Sequence, residues 1–273
     1  MNLSVSNIAW AAESDEAALA ALRRGAISAV EIAPTRIWPD WAGASAASAQ
    51  GVARHFADRG FRVSSLQALL FGKPECQLLG SSDQRQALLD HLTLCADLAA
   101  ALGAESLVFG APKNRSLCGR SASEAFRIAC EFFCIAGREF AARGLCLCLE
   151  ANPSEYGCEF ITDSAQAARL VRAVNCSGFG LHLDTGCMQL SNEDPVQAIC
   201  ANIDIMRHFH VSEPFLNNLS DTTLNHRRIG KTLQDVGYRR WVTLEMRAAL
   251  PPLAALAGSL DLFVNSYAPA PVT

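Results

Sequence analysis

The chain has 273 residues, half of them hydrophobic and 7% aromatic, with a formal net charge of −4. That is enough apolar material for one barrel-sized core, and the acidic balance gives nucleic acid no electrostatic reason to bind. No uncharged apolar run approaches the ~20 residues that cross a bilayer.

The opening MNLSVSNIAW lacks a basic segment and a long apolar core, so no signal peptide is expected and a cytoplasmic location is the default. It reads instead as a first strand, LSVSNIAW. A helix follows with Ser14 as its N-cap and Asp15 and Glu16 in its first turn, ending near Gly25. The same unit then recurs. Strand two is AISAVEIAP, followed by a loop with Trp38, Pro39 and Trp41 and a helix from about Ser45 to Gly60. Strand three is FRVSSLQAL, and its helix runs from near Ser82 to Gly103. Strand four is SLVFGAP, followed by Lys113, Asn114, Arg115 and a helix that stops at Gly144. Strands five to eight are CLCLE, GLHLD, RHFHVS and WVTLE, with helices near 163–176, 194–206, 221–237 and 250–266. The eleven cysteines include no C-x-x-C pair and sit mostly in apolar patterns, so they read as reduced, small hydrophobes.

Eight strand–helix units with short connections specify a single (β/α)8 TIM barrel over residues 1–273, of class α/β. The rival doubly wound sheet lacks the G-x-G-x-x-G turn expected after its first strand. In a barrel, the C-terminal strand ends form the functional face. Strands five to eight each end there in a potential metal ligand: Glu150, Asp184, His210 and Glu245. Side chains alternate across a strand. Leu147 and Leu149, Leu181 and Leu183, Phe209 and Val211, and Val242 and Leu244 therefore share the outer face, and the four ligands point inward.

Three carboxylates and one imidazole make a hard, oxygen-rich site for one divalent ion, Mn²⁺, Mg²⁺ or Co²⁺, with Zn²⁺ also accommodated. A carbonyl and a neighbouring hydroxyl chelated there would have an acidified C–H bond, because the ion neutralises the enediolate that forms. Glu150 and Glu245, on strands five and eight, could flank the substrate and exchange its proton, which suits epimerisation or aldose–ketose isomerisation.

The ligand order Glu, Asp, His, Glu, together with LEANP, LDTG, HVSEP, HRRIGKTLQDVGY and TLEMR, resembles the sugar phosphate isomerase/epimerase family of xylose isomerase-like TIM barrels over nearly the whole chain. The resemblance implies one divalent ion on Glu150, Asp184, His210 and Glu245, with Glu150 and Glu245 as the acid–base pair. It also implies a small-molecule sugar or polyol substrate and allows a homodimer; charge and hydropathy give neither nucleic acid nor a membrane as a partner. Free-ketose 3-epimerases of the family carry Glu, His and Arg where this chain has Tyr156, Cys187 and Leu216, which argues against that activity. The endonuclease IV branch needs extra histidines on strands three and four; strand three offers Gln67 and strand four none. The same barrel in lyases resembling dehydroshikimate dehydratases makes a dehydratase the enzyme alternative, and a non-catalytic sugar-binding barrel the other.

Further candidates follow from position. Glu31 faces inward on strand two, and a buried carboxylate needs a partner, so it is assigned to substrate binding, to support of the ligand groups or to an ion pair. His182 and His208 share the inward parity one layer deeper, as hydrogen-bonded core groups or support for the site; His182 is carried with the substrate-binding set. Lys113 and Arg115 follow strand four, where they could hold a phosphate or carboxylate. Trp10, Trp38 and Trp41 lie on loops of the same face as an apolar wall or as packing, with Trp10 counted among the substrate-binding groups. Arg247, two residues past Glu245, completes that set. Cys187 is read as a spectator thiol, and His226 as a residue whose reach toward the site is open.

Overall fold

The computed structural model describes residues 1–249 and 253–268. Its eight strands, β1 (Asn2–Ser6), β2 (Ala29–Ile32), β3 (Arg62–Leu66), β4 (Ser106–Phe109), β5 (Cys146–Glu150), β6 (Phe179–Asp184), β7 (Met206–Val211) and β8 (Trp241–Leu244), close into one barrel in chain order. Every neighbouring pair is parallel, including β1 with β8. Around them run α1 (Asp15–Arg24), α2 (Ala46–Ala57), α3 (Ser82–Leu102), α4 (Ala122–Ala142), α5 (Ser164–Val174), α6 (Thr185–Leu190), α7 (Pro195–Asn202), α8 (His226–Asp235) and α9 (Ala254–Tyr267). The expected (β/α)8 architecture is the observed one.

Local chemistry accounts for the element ends. Ser45 and Ser81 each close a capping box, with Ser48 and Gln84 respectively. Gly103 ends α3 in the left-handed conformation at φ 74°. Ser14 does stand at the N-cap of α1, but its side chain makes no capping hydrogen bond. The first strand is shorter than LSVSNIAW suggests, because the chain turns into a short 3₁₀ segment at Asn7–Ala9. The helix α6 directly after β6 was not expected. The last helix was expected over 250–266; it spans Ala254–Tyr267, and residues 250–252 lie outside the described residues.

Burial follows the strand parity. Leu147, Leu149, Leu181, Phe209, Val211, Val242 and Leu244 are fully buried between sheet and helices, and Phe133 of α4 stacks on Phe179 with ring centroids 4.5 Å apart. Burying such side chains is worth about 1.5–3 kcal/mol each. The barrel interior is unusually polar: Ser4, Glu31, Ser65, Ser106, His182, His208 and Thr243 are all buried there. Barrels are more often filled by Val, Ile and Leu, so the polar filling must be hydrogen-bonded or hold something.

Register matters for the site. Glu150 pairs with His182, and Asp184 pairs with His210, with a register shift between Leu181 and His182 on the β6–β7 side. Closing a barrel staggers its neighbouring strands, and the regular β5–β6 register sets His182 beside Glu150, where strand parity alone had set it one layer below.

The eleven cysteines are free; Cys118 and Cys200 are exposed, which departs from the buried reading. No helix among the described residues is long and apolar enough to cross a membrane.

Candidate metal and acid–base centre

The ends of β5 to β8 bring Glu150, Asp184, His210 and Glu245 together, all of them buried. Ligand atoms of Glu150, His182, Asp184 and His210 lie within 4.8 Å of one another. Glu245 joins through Oε2, 3.1 Å from His210 Nδ1. The other nitrogen, Nε2, faces Glu31, at 2.9 and 3.0 Å from its two oxygens. A carboxylate behind a histidine holds the Nε2 proton and leaves Nδ1 to coordinate. Two atoms on one ion with bonds of about 2.1 Å sit ~3 Å apart when adjacent, close to the His210–Glu245 spacing.

Electrostatics point the same way. Burial pushes the Glu150 carboxyl up to about 8, reinforced by Asp184 and Glu245. Asp184 is raised by burial and then by Glu245. Burial works against a charged His210, but the Glu31 and Glu245 carboxylates outweigh it and lift the imidazole well above its ordinary value. For Glu31, burial likewise opposes ionisation, yet the charge on His210 and hydrogen bonds from His208 and His210 hold it well below the usual carboxylate range. Three clustered carboxyl groups thus face one imidazole, His210, whose Nε2 is already paired with Glu31. A divalent cation would balance these acidic groups, so the donor set fits one.

Neighbouring side chains fix the positions of these groups. Asn152 Nδ2 donates to Glu150 Oε2 at 2.9 Å. The Arg115 guanidinium, fully buried behind it, donates to Asn152 Oδ1 at 2.5 Å and to the Glu150 carbonyl at 3.0 Å. Gly110 at the end of β4 leaves room for this arrangement, since a Cβ there would collide with Glu150 Oε2 and stand 3.3 Å from Asn152 Oδ1. Asp184 accepts from Ser212 Oγ at 2.8 and 2.7 Å and from the Cys187 backbone N–H at 2.6 Å. It therefore also caps α6, which explains that helix.

Above the cluster, the barrel mouth divides into two lobes. One, about 430 Å³, lies over β3 and β4 and is lined by Gln67, Leu69, Leu70, Phe71, Phe109 and Lys113, among others. The second, over β5 to β8, is lined by Asn152, Tyr156, Asp184, Cys187, Phe215 and Arg247, among others. Glu150 and Glu245 line both.

Several sequence expectations for substrate contact are corrected. Glu31 has no accessible surface and lines neither lobe; it receives hydrogen bonds from Ser65, His208 and His210. Arg115 does not reach the opening, because Asn152 and the Glu150 carbonyl hold it behind the site. Trp10 is buried, with its indole N–H donating to Asp15 at 2.6 Å. Trp41 is packed too, its indole N–H donating to the Phe71 carbonyl at 2.9 Å. His182 lines neither lobe and has no hydrogen-bond partner at either nitrogen, whereas His208 meets Ser106, Glu31 and Thr243. His226 turns away to Glu213 and Tyr267. Lys113 and Arg247 do stand at the mouth, one on the rim of each lobe.

Sequence reasoning missed Asn152, Ser212 and Gly110 as supports. Asn152 and Ser212 each lie two residues past a ligand, inside LEANP and HVSEP, and that spacing was the available signal. The partnerships themselves cross between strands.

Comparison with curated proteins returns no match. Among solved structures, the 3-keto-D-glucoside 4-epimerase YcjR from E. coli aligns at TM-score 0.78 and 17% identity, covering 97% of this chain and 99% of that one. A D-psicose 3-epimerase from Clostridium cellulolyticum H10, determined with D-tagatose, aligns at TM-score 0.75 and 15% identity, over 95% of this chain and 90% of that one. An AP endonuclease, family 2, from Brucella melitensis aligns at TM-score 0.77 and 19% identity, over 97% and 99%. At such identities the likeness concerns the fold. The profile of the family described as xylose isomerase-like TIM barrel matches residues 19–265, and the chain belongs to that family.

Proposed function

We propose that this protein is a divalent-metal-dependent isomerase or epimerase of a small sugar or sugar-like substrate. The observation that carries the reading is the position of Glu150 and Glu245, the two residues that border both lobes of the mouth from strands on opposite sides of the ligand cluster. A substrate spanning the lobes passes between two carboxylates. One takes a proton from carbon and the other returns it to the opposite face.

A divalent ion on Glu150, Asp184, His210 and Glu245 would supply the charge that acidifies a C–H bond beside a bound carbonyl. Asn152 and Arg115 hold Glu150 in place, and Ser212 holds Asp184. Leu69 and Phe109, both buried, give the lobe over β3 and β4 apolar walls. Two of the structural neighbours are described as epimerases of a sugar or a keto-glucoside, which agrees with this reading. Nucleic acid is not the proposed substrate: the chain is acidic, and the lobe over β3 and β4 presents Gln67, Val108 and Gly110 where zinc-binding histidines would be needed.

The test is deuterium exchange. The protein loaded with Mn²⁺ or Co²⁺ is incubated in D₂O with a panel of ketoses, aldoses and keto-glycosides. Solvent deuterium at a carbon next to the carbonyl, absent in Glu150→Gln and Glu245→Gln, supports the reading. Appearance of a conjugated product chromophore would make the enzyme a dehydratase instead. Bound ligand with no exchange across the panel would leave a sugar-binding barrel.

A further inference from the structure

Among the described residues, the barrel interior contains a side chain with neither of its polar atoms provided for. His182 is 1% exposed, and neither Nδ1 nor Nε2 has a hydrogen-bond partner. A neutral imidazole always carries one N–H and one lone pair, and each orphaned group in a dry interior is destabilising. The adjacent His208 shows how such a residue is ordinarily satisfied in this barrel, through Ser106, Glu31 and Thr243. Among the described residues, nothing equivalent faces His182. It is surrounded by metal-binding groups instead: Nε2 stands 3.6 Å from Glu150 Oε1, and the His210 ring lies edge-on with centroids 4.2 Å apart. Because the barrel stagger pairs His182 with Glu150, its ligand atoms fall in the same group as those of Glu150, Asp184 and His210. It lines neither lobe, so a bound sugar does not account for it.

We propose that His182 is an additional nitrogen ligand of the ion held by this cluster, which makes the centre selective for a borderline transition ion, Co²⁺, Fe²⁺ or Zn²⁺, over Mg²⁺. The proposal rests on the metal reading of the cluster. The physical reason is ligand preference: Mg²⁺ takes oxygen donors and dehydrates reluctantly, whereas imidazole nitrogen favours the later divalent ions. One imidazole among three carboxylates leaves the choice open; two close it toward the transition metals. Coordination by His182 would also satisfy its lone pair.

The experiment is X-ray absorption on the Co²⁺-loaded full chain, which counts imidazole ligands, set beside metal competition measured for the wild type and His182→Leu. Two imidazoles in the wild type are expected, one in the variant, and a Co²⁺ affinity at least about tenfold weaker in the variant with a smaller change for Mg²⁺. One imidazole in the wild type overturns the proposal while leaving the four-ligand centre standing. A protein that takes up no divalent ion overturns both. Should His182→Leu fail to fold, the wild-type ligand count decides alone.

Discussion

Arg115 offers the sharpest check on how the centre is built. Its guanidinium is fully buried and supports Glu150 twice, directly at the carbonyl and through Asn152. Arg115→Met keeps most of the side-chain length and removes both donors. Two buried acceptors, the Glu150 carbonyl and Asn152 Oδ1, then lose their partner at about 1–3 kcal/mol each. Part of this is recovered, since the guanidinium itself carries a buried Nε with no partner. The net loss is about 2–3 kcal/mol, which for a chain of this size lowers Tm by roughly 5–10 °C. Asn152, no longer anchored, lets Glu150 wander, and metal affinity should fall about 10–100-fold. Differential scanning calorimetry and chelator competition measure the two effects. A lowered Tm with unchanged metal affinity would refute the support role. Altered affinity for anionic ligands at constant Tm and constant metal affinity would put Arg115 in the opening, as its place after β4 suggests.

Metal uptake should release protons. In the metal-free chain Glu150 is pushed up to about 8, so binding below that pH displaces a proton, and affinity falls by about tenfold per unit as pH drops. Calorimetry at pH 7 in two buffers of different ionisation enthalpy tests this, and identical heats would contradict it. The same raised value has a stability consequence: the folded metal-free chain holds the Glu150 proton more tightly than the unfolded chain. The resulting stabilisation is complete below about 4.5 and is lost as pH rises through about 8, which a Tm series over pH 5–9 should show as a decline. Gly110→Ala places a methyl group against Glu150 Oε2 and should strip the ion while costing about 1–3 kcal/mol of stability; full metal content by mass spectrometry would count against it. Glu31→Gln removes the charge that orients His210 and should weaken metal binding about 10–100-fold with the barrel intact, measured by chelator competition against circular dichroism.

Much of this could be read from residue order. Parity along CLCLE, GLHLD, HFHV and WVTLE is a local property of a strand, and it placed Glu150, Asp184, His210 and Glu245 on the inner face with their leucines outside. The recurrence of strand and helix, punctuated by cap serines and glycines, determined the barrel, because each of those signals acts within a few residues of itself. What the tertiary structure alone decided is which side chains meet across the barrel. Glu31 and His210 are 179 positions apart and touch only because strands two and seven point at the same axis. Arg115 looked like a rim cation from its position, and turned out to be the buried strut of Glu150. His182 looked one layer too deep, and the stagger that closes the barrel brought it level with Glu150. Stagger is a property of all eight strands at once, so no single stretch of sequence contains it.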